Sequence, residues 1–302
     1  MPQFARLAQR LFNVPLAIHP GKAEVVMAAL SERLGISRIV RADGHSVQPM
    51  AGGWDDEGFN SPGDNPRAGY DIVMGVAIIH VSGTLVQKLG TLRPYSGMTG
   101  YDGIRQNLLM AVSNPRVKAI VLDIDSPGGE VAGCFDLVDT IYRARGSKPI
   151  WAVVDEMAFS AGYAIASAAD HITVPRTGGT GSIGVIAMHV DWSKALTDTG
   201  LKVTFITFGD RKADGAAELP LSPEALARFQ MDMDTMGELF VSTVARNRSL
   251  DSAKVRATQA STYLGTTGVE MGLADAVMAP DAAFRALVET LDNSPTKRLE
   301  RK

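Results

Sequence analysis

Apolar and polar positions change rhythm near residue 70. Beyond it, short apolar runs alternate with stretches whose apolar residues recur at steps of three and four. VAIIHVSGTL (76–85), AIVLDID (119–125), IWAVVDEM (150–157), HITVP (171–175) and KVTFITFG (202–209) have the length and content of strands. YDGIRQNLLMAVSN (101–114) and EVAGCFDLVDTIYRAR (130–145) have helical spacing, and another helix is expected after Ser160. Strands alternating with helices predict an α/β fold with a largely parallel sheet. A long helix should start at Ser222-Pro223, a cap followed by a first-turn proline. Leu226, Phe229, Met233, Met236, Phe240 and Val244 follow at helical steps, and its methionines read as core or interface packing.

Before residue 70 the pattern is weaker. A helix is expected over about 21–35, carried by Val25, Val26, Ala29, Leu30 and Leu34. Residues 41–70 are rich in Gly, Pro, Asp and Asn and read as a linker or mobile loop. The expected organisation is an N-terminal extension with linker (1–70), one α/β domain (71–285) and a charged tail (286–302).

Bulk chemistry narrows the function classes. The 302 residues are 45% hydrophobic and 21% charged, enough for a sizeable core. A formal net charge of −3 offers no basic excess for nucleic acid or an anionic membrane. Cys134 is the single cysteine, so no intrachain disulfide forms and a reducing compartment fits. The N-terminal apolar residues are interrupted by Arg6, Gln9, Arg10, Asn13 and Pro15, so no signal-peptide core is expected. No run approaches the ~18 apolar residues of a membrane span. A soluble, cytoplasmic protein is the expectation.

Two places invite chemistry. In DIDSPGGEVAG (123–133) a buried strand is expected to end at Asp125, and the glycines let the backbone turn into a helix. Amides exposed at such a turn can hold an oxyanion, although an ordinary strand-to-helix connection looks the same. In DEMAFSAGYAIASAAD (155–170), Ser160 ends a strand and opens a helix, where nucleophiles and simple helix caps both occur. A serine nucleophile needs a base. None of His19, His45, His80, His171 and His189 has a distinctive setting, and a Ser-His-Asp triad stays open without support. Lys212, in FGDRKADGAAELPLSPE (208–224), is the other option, and by itself it reads as a solvated loop lysine.

SPGG after a buried strand, FSAGYAIASAAD, GTGSIGVI (179–186) and GDRK stand in an order and spacing that resembles the signal peptide peptidase A family of serine proteases. SGMTGYDGIRQNL (96–108) and the N-terminal region are most similar to its bacteriophage branch, the head maturation proteases. The resemblance covers roughly 70–280. It implies a Clp/crotonase-like fold with repeated β-β-α units. It also implies a Ser-Lys dyad: Ser160 as nucleophile, Lys212 as general base, Ser182 orienting the lysine amine, and the amides of Gly129 and Ala161 as the oxyanion hole. No metal or cofactor is implied. Relatives form rings, and the methionine-rich helix offers more apolar surface than one core needs, so a cyclic homo-oligomer is expected.

A lysine acting as base must be brought from about 10.4 to about 7–8, which desolvation achieves at a cost of roughly 3–5 kcal/mol. Ala158, Phe159, Ile183 and Val185 are candidates for the apolar surroundings. The reading is an endopeptidase that trims scaffold or capsid proteins in the host cytoplasm or procapsid, with the substrate lying extended along a sheet edge. Neither the membrane anchor of bacterial relatives nor the C-terminal scaffolding segment of some phage ones is expected in this chain, and scaffolding is expected from another protein or the role is expected to be lost. Three alternatives remain: a cellular peptide-degrading protease of the same family, a crotonase-like acyl-CoA enzyme that would not need Lys212, and an inactive assembly factor.

Overall fold

The structure is a computed structural model, and it describes residues 14–20, 22, 39–40, 46–47 and 68–293. The helix expected over 21–35 and most of the linker at 41–70 lie outside the described residues. The strands are β1 (Leu16–Ile18), β2 (Ile39–Val40), β3 (Ser46–Val47), β4 (Asp71–Val73), β5 (Val76–Val86), β6 (Met98–Gly100), β7 (Ala119–Glu130), β8 (Ile150–Phe159), β9 (His171–Val174), β10 (Gly179–Gly181), β11 (Thr262–Leu264) and β12 (Ala276–Val277). The helices that matter are α1 (Tyr101–Ser113), α2 (Cys134–Ala144), α3 (Ala161–Ser167), α4 (Ser193–Asp198), α5 (Pro223–Arg248), α6 (Ser252–Arg256), α7 (Gly265–Glu270) and α8 (Pro280–Asp292).

Two compact units divide the chain. One comprises residues 17–184 and 240–302, and the other 1–16 and 185–239. The larger unit holds the sheet, whose main path runs β11-β10-β8-β7-β5-β4. Pairings of β5 with β6 and β7, β7 with β8, and β8 with β9 and β10 are all parallel. β4 on β5 and β11 on β10 run antiparallel, as does the separate pair of β2 and β3. The sequence reading of a largely parallel α/β sheet therefore holds.

Alternation along the central strands explains the layers. On β7, Ile120, Leu122 and Ile124 are fully buried. The helix-like spacing of α2 brings Leu137, Val138 and Ile141, also fully buried, to the core. Burying each such side chain contributes about 1.5–3 kcal/mol. Val121 of β7 and Val153 of β8 point the other way and pack with Ala283 and Leu287 of α8. Further along that outer face β7 carries Asp123 and Asp125 and β8 carries Asp155, all at least partly exposed.

Strand β8 forks. Trp151 to Val153 pair with β9, whereas Met157 to Phe159 pair with β10. The chain leaves the sheet at the end of the second branch, at Ser160.

The smaller unit holds α4, a turn-rich stretch over 208–219 and the first part of α5. Trp192 N–H donates to the Ala217 carbonyl at 2.6 Å, and Arg228 Nε donates to Asp214 Oδ2 at 2.9 Å. The strand expected over 202–209 is not formed. Among the described residues no strand lies alongside it, and 202–208 make no backbone hydrogen bond. Ile206 and Phe208 are fully exposed there. A strand-like sequence stays irregular when nothing offers it a ladder.

Candidate active site

Ser160 sits between β8 and α3 with φ 53° and ψ −119°. That backbone region suits glycine and strains a residue with a Cβ. The conformation is held from both sides. Ser160 N–H donates to the Gly181 carbonyl at 2.9 Å, and its own carbonyl accepts from Ala164 N–H at 2.8 Å. The hydroxyl donates to the Gly184 carbonyl at 3.3 Å, and the residue is 1% exposed. No side-chain cap bond is made at α3, so the simple capping role is not the one in use.

The Ser-Pro-Gly-Gly segment is placed differently from expectation. It does not turn into a helix. β7 runs on through Glu130, with Gly128 and Gly129 opposite Thr84 and Leu85 of β5 after a register shift. The helix begins at Cys134, behind Gly133 in the left-handed region. Parallel pairing thus outcompetes the turn. Glycine is needed here for room: a Cβ at Gly129 would overlap the Leu85 carbonyl oxygen, and one at Gly128 (φ 103°) would lie 3.0 Å from Ser160 Cβ. The segment therefore runs directly against the serine. Ser126 Oγ locks it by donating to the Gly83 carbonyl at 2.7 Å and accepting from Gly128 N–H at 3.1 Å.

Ser160, Ala161, Gly129 and Ser182 all belong to the larger unit. Ser182 follows the glycine that accepts from Ser160 N–H, has φ 54° and is 4% exposed, and its N–H donates to the Ser261 carbonyl at 2.8 Å. Ala158 and Ala161 are fully buried and Ile183 is 5% exposed, so the serine's own surroundings are apolar. Lys212 belongs to the smaller unit, in the turn-rich stretch, with an exposed side chain and its N–H donating to the Gly209 carbonyl at 3.1 Å.

The histidines sort themselves by contact. His80 Nδ1 lies 2.8 Å from Asp123 Oδ2. His171 faces Asp275, which also pairs with Arg248, and burial lowers the pKa of that imidazole. His45 lies outside the described residues, and His189 belongs to the smaller unit. The histidine beside the serine's neighbour is His19, whose ring lies 5.3 Å from that of Phe159 and whose N–H donates to the Pro127 carbonyl at 2.7 Å. Sequence distance concealed it, because it arrives from the far N-terminal side of the chain.

A cavity of about 470 Å³ reaches Phe159, the residue before the serine, and is lined by His19, Lys22, Gly83, Asp125, Pro127, Met157 and Phe159. Burial pushes the Asp125 carboxyl up. A backbone hydrogen bond from Met157 opposes the rise, and the charges of Asp155, Asp123 and Glu156 add to it. Asp125 Oδ1 is buried with no hydrogen-bond partner.

Comparison with known proteins places the chain in a peptidase family. Residues 143–293 match Peptidase family S49. The capsid assembly protease C of Escherichia phage lambda is 37% identical over 294 residues, 97% of this chain and 66% of that protein. The head-tail preconnector protein of Enterobacteria phage P21 is 37% identical over 285 residues, 94% of this chain and 57% of that protein. This chain thus spans somewhat less than two thirds of either phage relative. Protease 4 of Haemophilus influenzae is 26% identical over 211 residues, 69% of this chain and 33% of that protein. Among solved structures, an enoyl-CoA hydratase/isomerase family member matches with TM-score 0.43 at 16% identity, over 74% of this chain and 75% of that one. A ClpP1 variant from Listeria monocytogenes matches with TM-score 0.41 at 14% identity, over 67% and 90%.

Proposed function

The chain belongs to peptidase family S49, and from that premise we propose that it is a serine endopeptidase with a Ser160–Lys212 dyad that cleaves scaffold or capsid proteins during phage head maturation. The observation that carries the reading is the strained Ser160, set at a strand-to-helix junction against the Ser-Pro-Gly-Gly strand. Strain of this kind persists where the surroundings enforce it, and it fixes the direction of a nucleophile's oxygen.

In this mechanism the Lys212 amine takes the Ser160 proton as Oγ attacks the scissile carbonyl carbon. The amides of Gly129 and Ala161 receive the oxyanion, each typically contributing ~2.7–4 kcal/mol. The lysine then gives its proton to the leaving amine, and an acyl-enzyme ester remains on Oγ. Water, deprotonated by the same amine, hydrolyses that ester and restores the serine. Ser182 orients the amine. The dyad requires Lys212 Nζ within hydrogen-bond reach of Ser160 Oγ and shielded from water. The protein acts as a homo-oligomeric ring, and the phage branch is favoured over a cellular peptidase by 37% identity over 97% of the chain against 26% over 69%.

The test is cleavage of a phage scaffold protein and a phage major capsid protein, with an unrelated unfolded protein for comparison. Wild type should cut the assembly proteins faster and be labelled at Ser160 by a serine-reactive probe. The Ser160→Ala protein should do neither while keeping its circular dichroism. Undiminished cleavage by Ser160→Ala sinks the assignment, and equal cutting of all three proteins sinks the head-maturation role.

A further inference from the structure

The cavity that reaches Phe159 has a chemistry that the dyad does not use. Phe159, Met157 and Pro127 give it apolar walls, and Phe159 directly precedes the nucleophile. Pro127 adjoins Gly128, whose missing Cβ leaves the strand against Ser160. A substrate carbonyl held at Ser160 therefore has a neighbouring side chain within reach of this space. Asp125 stands on the wall, half-buried, with Oδ1 unpartnered.

Charges around the cavity are unbalanced. From β7 come Asp125 and Asp123, the latter paired with His80 of β5. From β8 come Asp155 and Glu156, both exposed, and Glu156 accepts from Thr177. His19 and Lys22 also line the cavity, and the Lys22 side chain is exposed. A carboxylate desolvated among other carboxylates is relieved by a cation brought to it. Apolar walls leading to an acid suit a side chain with a long aliphatic stem and a charged end.

Resting on the endopeptidase reading, we infer that this cavity is the subsite for a lysine or arginine side chain of the substrate, with Asp125 as its specificity determinant. A site built around a buried polar group rejects analogues that leave the group unpaired, so norleucine, which has the stem without the charge, is the informative competitor.

The experiment uses the full chain and quenched-fluorescent peptides in which lysine, norleucine, glutamine or glutamate occupies one position at a time on either side of the scissile bond. At one position, kcat/KM for lysine should exceed that for norleucine by roughly tenfold or more, as for a hydrogen bond to a charged group. Asp125→Asn should reduce that ratio at least about tenfold. The ratio is internal to each enzyme, so a loss of folded protein does not move it. Lys22→Gln should raise the ratio, because it removes the opposing charge. Equal rates for lysine and norleucine at every position overturn the subsite alone. A preference for glutamate that Lys22→Gln abolishes also overturns it, assigning the cavity to anions. A chain that cleaves neither these peptides nor unfolded proteins overturns the subsite and the endopeptidase reading together.

Discussion

Replacing Ser160 by glycine should make the protein inactive and more stable than the alanine variant. The perturbation is local. At φ 53° and ψ −119° a Cβ is strained, and such residues cost about 1–3 kcal/mol. Alanine keeps the Cβ and the strain, whereas glycine removes both. Glycine also gains freedom in the unfolded chain, which costs about 0.4–1 kcal/mol. Both variants lose the hydroxyl, and with it a 3.3 Å bond to the Gly184 carbonyl, so that contribution cancels between them. The difference should leave glycine ahead by about 1 kcal/mol. For a protein of this size that is a Tm higher by about 1.5–2 °C. Differential scanning calorimetry of the two variants at one concentration and pH measures it, and a peptidase assay confirms that both are inactive. If Ser160→Ala proves equal or superior in Tm, the backbone at the serine is not strained and the reasoning from strain to nucleophile fails.

Three further outcomes are expected. Lys212→Arg and Lys212→Ala should each lower kcat by several orders of magnitude with substrate binding retained, since a guanidinium stays protonated and alanine offers no base; His19→Gln and His171→Gln should keep turnover within a few-fold, and steady-state kinetics that reversed this pattern would point to a histidine base. Gly129→Ala should destabilise by about 1–3 kcal/mol, read in urea unfolding, because its Cβ meets the Leu85 backbone and neither strand can shift without breaking ladder bonds; unchanged stability would show that β5 and β7 are not held at this spacing. Asp125→Asn should stabilise the protein at neutral pH. Asp125's folded pKa is raised above 3.8, so its ionisation weakens the fold as pH rises through that raised value. The variant's advantage should shrink as pH falls toward 3.8, and an advantage that grows on acidification would contradict the sign.

How much of this was legible in the chain follows from what is local. The apolar runs at 76–85, 119–125, 150–157 and 171–175 became strands, because four to eight buried apolar residues have few other uses. The cap and proline at 222–223 began α5 where expected, through Ser222 Oγ accepting from Ala225 N–H at 3.1 Å. Ser160 was marked by its place between a strand and a small-residue helix, a pattern within ten residues. What failed or stayed hidden depended on partners elsewhere in the chain. The run at 202–209 has strand composition, but a strand needs a neighbour's backbone, and no sequence window contains the neighbour. The Ser-Pro-Gly-Gly segment carried a turn signature, yet pairing with β5 keeps it extended, since ladder bonds to Thr84 and Leu85 come from forty residues away. His19 stands beside Phe159, 140 residues apart, only because the chain folds back along β7. The strain at Ser160 has the same origin: its dihedral angles are imposed by Gly181 on one side and Ala164 on the other, and a sequence lists residues without the constraints that neighbours in space place on them.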